Sequence, residues 1–216
     1  MPLIDLSHTI EAGMVTYTGL PAPLICDHLS REASRAAYEP GTEFQIGRID
    51  MVGNTGTYLD TPFHRYADGE DLSDVGLDRV AGLPGLVVPA QDIQAVDADR
   101  FAGLDVRGRA VLVHTGWARH WRTDPYFENH PFLTENAAAL LVEMGAALVG
   151  IDSHNIDDTR TRARPAHTRL LGAGIPICEH MRGLELLPET GFRFTAAPPK
   201  VQAFGTFPVR AFAEVD

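Results

Sequence analysis

Asn54, Tyr58, Asp60 and His64 stand within one short run, Asn54-Thr55-Gly56-Thr57-Tyr58-Leu59-Asp60-Thr61-Pro62-Phe63-His64. Alternate side chains of an extended backbone share a face, so Asn54, Gly56, Tyr58 and Asp60 are expected to point one way. Pro62 favours an extended Thr61 before it. Gly56 would leave an opening in that face for a ligand or metal, and His64 follows one short step later. An amide, a phenol, a carboxylate and an imidazole together suffice for general acid–base chemistry and come close to a metal site. The same residues also suit a solvated, Gly-containing turn. His167 and Glu179 form a second group, at a predicted helix start and at the end of the next apolar run. A carboxylate in that position needs a partner.

The elements that must carry these groups read as α/β. Residues 3–10 resemble an opening strand, followed by a loop with Gly13, Gly19, Pro21 and Pro23. Residues 28–38 suit a short helix or a continuation of that loop. Gln45 to Val52 reads as a strand that feeds the 54–64 run. Leu86 to Pro89 and Arg109 to His114 read as buried strands. Thr134 to Met144 is the clearest helix, with Thr134 as N-cap and Gly145 as its stop. A strand from Ala146 to Ile151, a helix around His167–Leu171 with Pro165 near its start, and a short strand Ile175–Ile177 leading to Glu179 complete a helix–strand–helix–strand series. Strands are expected again over 192–196 and 209–215.

The chain has 216 residues, 44% of them hydrophobic, which suits one domain over 1–216 with a sizeable core. Its formal net charge is -11 and its basic residues are scattered along the sequence. A nucleic-acid partner is therefore disfavoured, although net charge leaves a local basic patch open. The two cysteines, Cys26 and Cys178, lie far apart and outside any C-x-x-C motif, so no disulfide framework is expected and Cys178 reads as a small buried hydrophobe. No signal-peptide pattern or membrane span is evident, and a cytoplasmic protein is expected.

These residues, in this order, resemble the cyclase family, which includes bacterial kynurenine formamidases and isatin hydrolases. The family hallmark is H-x-G-T-H-x-D-x-P-x-H, where this chain has N-T-G-T-Y-L-D-T-P-F-H. Asp5-Leu6-Ser7-His8, Val113-His114-Thr115-Gly116-Trp117, Gly150-Ile151-Asp152-Ser153, Pro165-Ala166-His167 and Gly174-Ile175-Pro176-Ile177-Cys178-Glu179 resemble further family elements, so the likeness spans the chain. It implies a single α/β domain, a mixed central sheet flanked by helices in a swivelling β/β/α-like arrangement, assembled as a homodimer or homotetramer. It implies hydrolysis of amide or lactam C–N bonds, as in arylformamidases, with a divalent ion that makes water acidic. Carried over by position, Asp60, His167 and Glu179 are ligands and His64 is the acid–base group.

Asn54 and Tyr58 replace two hallmark imidazoles. A dinuclear site is then disfavoured. A single ion remains feasible, and an oxygen-rich set with Asn54 would favour Mn2+ or Mg2+ over Zn2+. A metal-free alternative uses His64 as base, oriented by Asp60, with Tyr58 donating to an oxyanion. Tyr17, Phe63, His114 and Trp117, with Asn54, are candidate substrate contacts, His114 because strand ends line crevices in α/β sheets. The remaining histidines, His8, His28, His120, His130, His154 and His180, are expected at the surface or in supporting positions. Three functions follow: a hydrolase of small amides, lactams or lactones; a metal-independent acid–base enzyme using Tyr58 and His64 for hydrolysis, dehydration or ring closure; and a non-catalytic small-molecule binder.

Overall fold

The computed structural model describes residues 1–215. Sixteen elements occur in chain order: β1 (Leu3–Asp5), β2 (Leu24–Leu29), α1 (Arg31–Ala37), β3 (Ile46–Asp50), β4 (Tyr58–Asp60), β5 (Leu83–Pro89), β6 (Ala95–Val96), β7 (Ala110–His114), β8 (Phe132–Leu133), α2 (Glu135–Met144), β9 (Leu148–Ile151), α3 (Pro165–Gly172), β10 (Ile177–Glu179), β11 (Phe192–Thr195), β12 (Thr206–Pro208) and β13 (Phe212–Val215). Nine strands form one mixed sheet in the order β1-β13-β11-β5-β7-β9-β10-β4-β12. Its centre, β5-β7-β9-β10, is parallel, and both flanks are antiparallel.

The parallel centre explains why those strands read as uninterrupted apolar runs: both of their faces are buried. Strand alternation divides them between two cores. Leu86, Val88, Val111, Val113, Val149, Ile151 and Ile177 face α2 and α3, which contribute Ala137, Ala138, Leu141, Ala166, Leu170 and Leu171. Val87, Ala110, Leu112, Leu148 and Cys178 face the other way, onto Leu6, Phe192, Phe194, Ala211 and Ala213 from the antiparallel end. The sheet curls, so its own end covers the face that has no helix. Helix α2 begins at Thr134, whose hydroxyl accepts from Ala137 N at 3.1 Å, and stops at Gly145, as its sequence indicates.

Three boundaries differ from expectation. The opening strand is confined to Leu3–Asp5, and the last is shortened to Phe212–Val215, with β12 before it at Thr206–Pro208 outside the expected range. The second strand of the helix–strand–helix–strand series runs Ile177–Glu179, so Glu179 sits within it rather than beyond it. The segment read as a loop contains β2, which pairs only with β3. That hairpin projects Leu24, Ile25, Ile46 and Ile49 into solvent. No helix among the described residues is long and apolar enough to cross a membrane.

Candidate active site

Strand register assembles the site. Strand β4 lies between β10 and β12, with Tyr58 directly opposite Glu179 on one side and Asp60 directly opposite Thr206 on the other. Directly opposed residues share a face, and Tyr58 and Asp60 share it by alternation. The Tyr58 hydroxyl donates to Glu179 Oε2 at 2.6 Å. The Thr206 hydroxyl donates to Asp60 Oδ1. After Asp60, an extended Thr61 enters a tight turn over Pro62–His64 that brings His64 back over Asp60. Gly205 allows this close approach, because a Cβ there would lie 2.3 Å from the His64 backbone nitrogen.

Gly56 has a different role from the one its sequence suggests. The backbone at 54–57 is not a strand, and Gly56 adopts φ +65°. A Cβ at Gly56 would meet Ile10, not an open ligand space. Only the Tyr58–Asp60 part of the expected alternation is realised.

Helix α3 supplies His167 from its first turn. Asp157, fully buried, accepts from the Ala166 and His167 backbone N–H groups at 2.7 and 3.1 Å, satisfying the open helix start. The same carboxylate accepts a hydrogen bond from His167 Nδ1 at 2.6 Å. That fixes the tautomer and aims Nε2 at Asp60 Oδ2 (3.7 Å) and Glu179 Oε1 (3.9 Å). Glu179 Oε1 also accepts from Ile156 N at 2.5 Å.

His64 Nδ1 lies 2.7 Å from the Thr206 hydroxyl and 3.6 Å from Asp60 Oδ1. The single Thr206 proton goes to the Asp60 carboxylate, so Nδ1 must be the donor to Thr206. Nε2 of His64 therefore carries the free lone pair. Asp60 orients His64 through Thr206, not by direct contact.

The electrostatics assign the protons. Burial, reinforced by the Glu179 and Asp60 charges, pushes the Tyr58 phenol well above its usual pKa. Tyr58 thus stays protonated and its one proton is committed to Glu179. Its hydroxyl is directed at Glu179 and not at the oxyanion position that the sequence suggests for it. Burial raises the Glu179 carboxyl to about 7. Burial works against a charged His167, but Glu179, Asp157 and Asp60 outweigh it and raise the imidazole to about 10.

Three buried carboxylates therefore surround the His167 imidazole, and among the described residues Asp60 Oδ2 is buried without a hydrogen-bond partner. Such an oxygen, facing an imidazole nitrogen whose ring is held from behind, is a cation-binding arrangement. Asp60, His64 and His167 each offer a ligand atom within 4.8 Å of the others. The residues fit one divalent ion, with Glu179 beside it.

A cleft of about 610 Å3 opens over this floor. Tyr17, Asn54, Tyr58, His64, His167 and Glu179 all line it, as the sequence suggests. The Tyr17 hydroxyl accepts from Asn155 Nδ2 at 2.8 Å, which fixes the ring at the wall. Phe63, His114 and Trp117 do not line it. His114 is separated from β4 by β9 and β10 and opens onto a different cleft with Gln91 and Trp121. Trp117 donates to Tyr126 O at 3.0 Å and lines a third depression. His114 ends β7, and Trp117 lies in the turn that follows, which is held by Asp152 accepting from Thr115 N, Thr115 Oγ1 and Gly116 N at 2.6–2.8 Å. The histidines behind the site are also not at the surface. His130, His154 and His180 are buried, and with His8 they pack among Tyr17, Tyr126 and Trp121. Asp157 and Thr206 had no sequence signal beyond their residue type.

Comparison with known proteins agrees with this architecture. Residues 4–158 match the family model described as "Putative cyclase". The kynurenine formamidase of Geobacillus thermodenitrificans is 32% identical over 168 residues, covering 77% of this chain and 78% of that one. A solved structure called "predicted metal-dependent hydrolase from Bacillus stearothermophilus" superposes with a TM-score of 0.77 at 26% identity, covering 98% of this chain and 97% of the other. Isatin hydrolase A from Labrenzia aggregata shares the fold, with a TM-score of 0.81 at 22% identity over 99% of this chain and 93% of its own. On sequence, fold and the placement of Asp60, His64, His167 and Glu179, this chain belongs to the cyclase family.

Proposed function

We propose that this protein is a hydrolase that cleaves the C–N bond of a small amide or lactam, or the ester bond of a lactone, at a site holding one divalent ion. The observation that carries this reading is the buried, unpartnered Asp60 Oδ2 facing the Asp157-held His167. Similarity to a kynurenine formamidase supports the reaction class. Asp60, His167 and Glu179 would hold the ion, which leaves His64 Nε2 for acid–base work. Such an ion, when bound, supplies a Lewis acid that polarises a carbonyl and lowers the pKa of water.

The chain's own groups do the rest. His64 Nε2, with its lone pair free, takes a proton from the attacking water and returns it to the leaving nitrogen. Thr206 and Asp60 hold the ring for that exchange. Asn54 faces the cleft and no protein group hydrogen-bonds its side chain among the described residues, so its amide protons are free to meet the substrate carbonyl. Tyr17 walls the substrate. Tyr58 anchors Glu179 where a second ion would otherwise need an imidazole, which keeps the site mononuclear.

The metal-independent reading loses its acid, because the Tyr58 proton is turned to Glu179. We read the protein as a single domain over 1–216, as cytoplasmic, and as a homo-oligomer. The apolar side chains that the β2–β3 hairpin exposes, with Ile25 directly opposite Ile49, support the last point, since no described segment covers them. The test is a panel of aryl formamides, lactams and lactones with Mn2+, Zn2+ and Mg2+. Turnover that disappears in both Asp60→Ala and His64→Ala, with folding intact, supports the proposal. Full activity in both variants overturns it.

A further inference from the structure

The mouth of the catalytic cleft carries three arginines, Arg65, Arg162 and Arg164. In a chain with 29 acidic and 18 basic residues, most positions near a guanidinium should find a carboxylate. Neighbouring arginines do: Arg160 pairs with Asp158 at 2.9 Å and Arg169 with Glu135 at 2.7 Å. The three at the mouth make no ion pair among the described residues. Arg164 donates through Nη1 to Thr161 O (2.9 Å) and Ala163 O (2.7 Å), leaving Nη2 and Nε uncommitted. Arg65 uses only Nε, in a 3.3 Å contact with Thr168 Oγ1. Arg162 has no partner. The cleft is therefore polarised, with Asp60 and Glu179 at its floor and three unneutralised guanidiniums at its rim.

Resting on the hydrolase reading, we propose that the substrate carries a carboxylate, which Arg65, Arg162 and Arg164 bind at the rim while the scissile carbonyl sits at the floor. The charge pattern orients such a molecule. The rim attracts its anionic end with planar, multi-donor groups suited to a carboxylate, while the charge of the floor carboxylates is taken up by the ion they would hold. A neutral substrate would leave three like charges facing each other around an open cleft. No lysine could replace these residues with the same geometry, since an ammonium lacks the bidentate fork.

The test uses N-formylanthranilate and its methyl ester, which share the formamide and differ by one negative charge, with the manganese-loaded protein at low salt. The acid should exceed the ester in kcat/KM by on the order of tenfold, mostly through KM. Arg162→Ala and Arg164→Ala together should bring the ratio close to one, and Arg162→Ala alone, on an exposed loop, should lower it severalfold. Arg193→Ala, exposed on β11 at the other end of the sheet from β4, removes equal charge away from the cleft and should leave the ratio intact. Equal turnover of acid and ester in the parent protein, or a ratio indifferent to the arginine variants, overturns the proposal and leaves the hydrolase reading standing. If neither compound is hydrolysed, calorimetric titration of both into the metal-free protein decides. Tighter binding of the acid that weakens in the arginine variants upholds the carboxylate site while that reaction class fails. Equal binding, or none, overturns it.

Discussion

Replacing Tyr58 with phenylalanine removes one oxygen and leaves the ring in place, so its effect isolates the hydrogen bond to Glu179. Both partners are fully buried, and the contact is 2.6 Å. Losing a hydrogen bond to a buried carboxylate costs about 2 kcal/mol, because the oxygen has no water to turn to. No cavity term adds to this, since the hydroxyl alone is removed. For a domain of this size, about 2 kcal/mol lowers Tm by about 4–8 °C. The cost depends on pH in a defined direction. Burial sets the Glu179 carboxyl near 7, so above that it is charged and needs the donor, and below it the protonated acid needs the donor less. Melting curves of the metal-free Tyr58→Phe protein should therefore fall furthest below the parent at pH 8 and approach it at pH 6. With metal saturating, turnover should stay within about tenfold of the parent, because the Tyr58 proton does not reach the substrate. An unchanged Tm at pH 8, or a folded variant with activity lost by about a thousandfold, would refute this account and restore Tyr58 as the catalytic acid.

Three other perturbations probe separate parts of the structure. Thr206→Val cuts the link between Asp60 and His64 and should lower kcat on the order of tenfold or more with KM little changed; parent-like kcat would mean that His64 needs no such support. Burial holds His8 near 4 and His154 near 3, below the unfolded value of 6.5. Their neutral forms favour folding, so stability is full above pH 6.5 and falls as pH drops towards those values, by about 1–2 kcal/mol for each histidine by pH 5. Urea midpoints that stay flat from pH 6.5 to 5 would contradict that. Ile25→Asp with Ile49→Asp, on the exposed hairpin, should convert an oligomer to monomer in sedimentation, and an unaltered mass would show that another surface mediates assembly.

Much of the fold is legible in the sequence because burial leaves a pattern. The runs at 110–113 and 148–151 are apolar throughout since helices or sheet cover both faces, and Thr134 and Gly145 mark the ends of α2 by their chemistry. The β2–β3 hairpin is the converse. In it β3 falls within the strand expected over Gln45 to Val52, but β2 is exposed at every residue before Leu29, so no burial pattern marks it in the sequence. Site residues on the hallmark run were legible by type and spacing. Thr206 was not, because its place opposite Asp60 comes from pairing of strands 146 positions apart. Asp157 stood unread for a similar reason, as only the turn into α3 brings it against His167. His114 points to the site by its strand end and Trp117 by its aromatic ring, but sheet order inserts two strands between β7, which leads into both, and Asp60. The arginine rim escaped a linear reading because Arg65 and Arg164 meet only in three dimensions.

The central claim is that two absent imidazoles have left a site for one ion rather than none or two. Metal content by mass spectrometry, on tag-free protein after chelation and reconstitution, tests it directly. The account predicts about one tightly held manganese or zinc per chain, lost in His167→Ala and rising towards two when Asn54→His and Tyr58→His are combined. A parent protein that takes up no ion on reconstitution, or that already holds two, would contradict it.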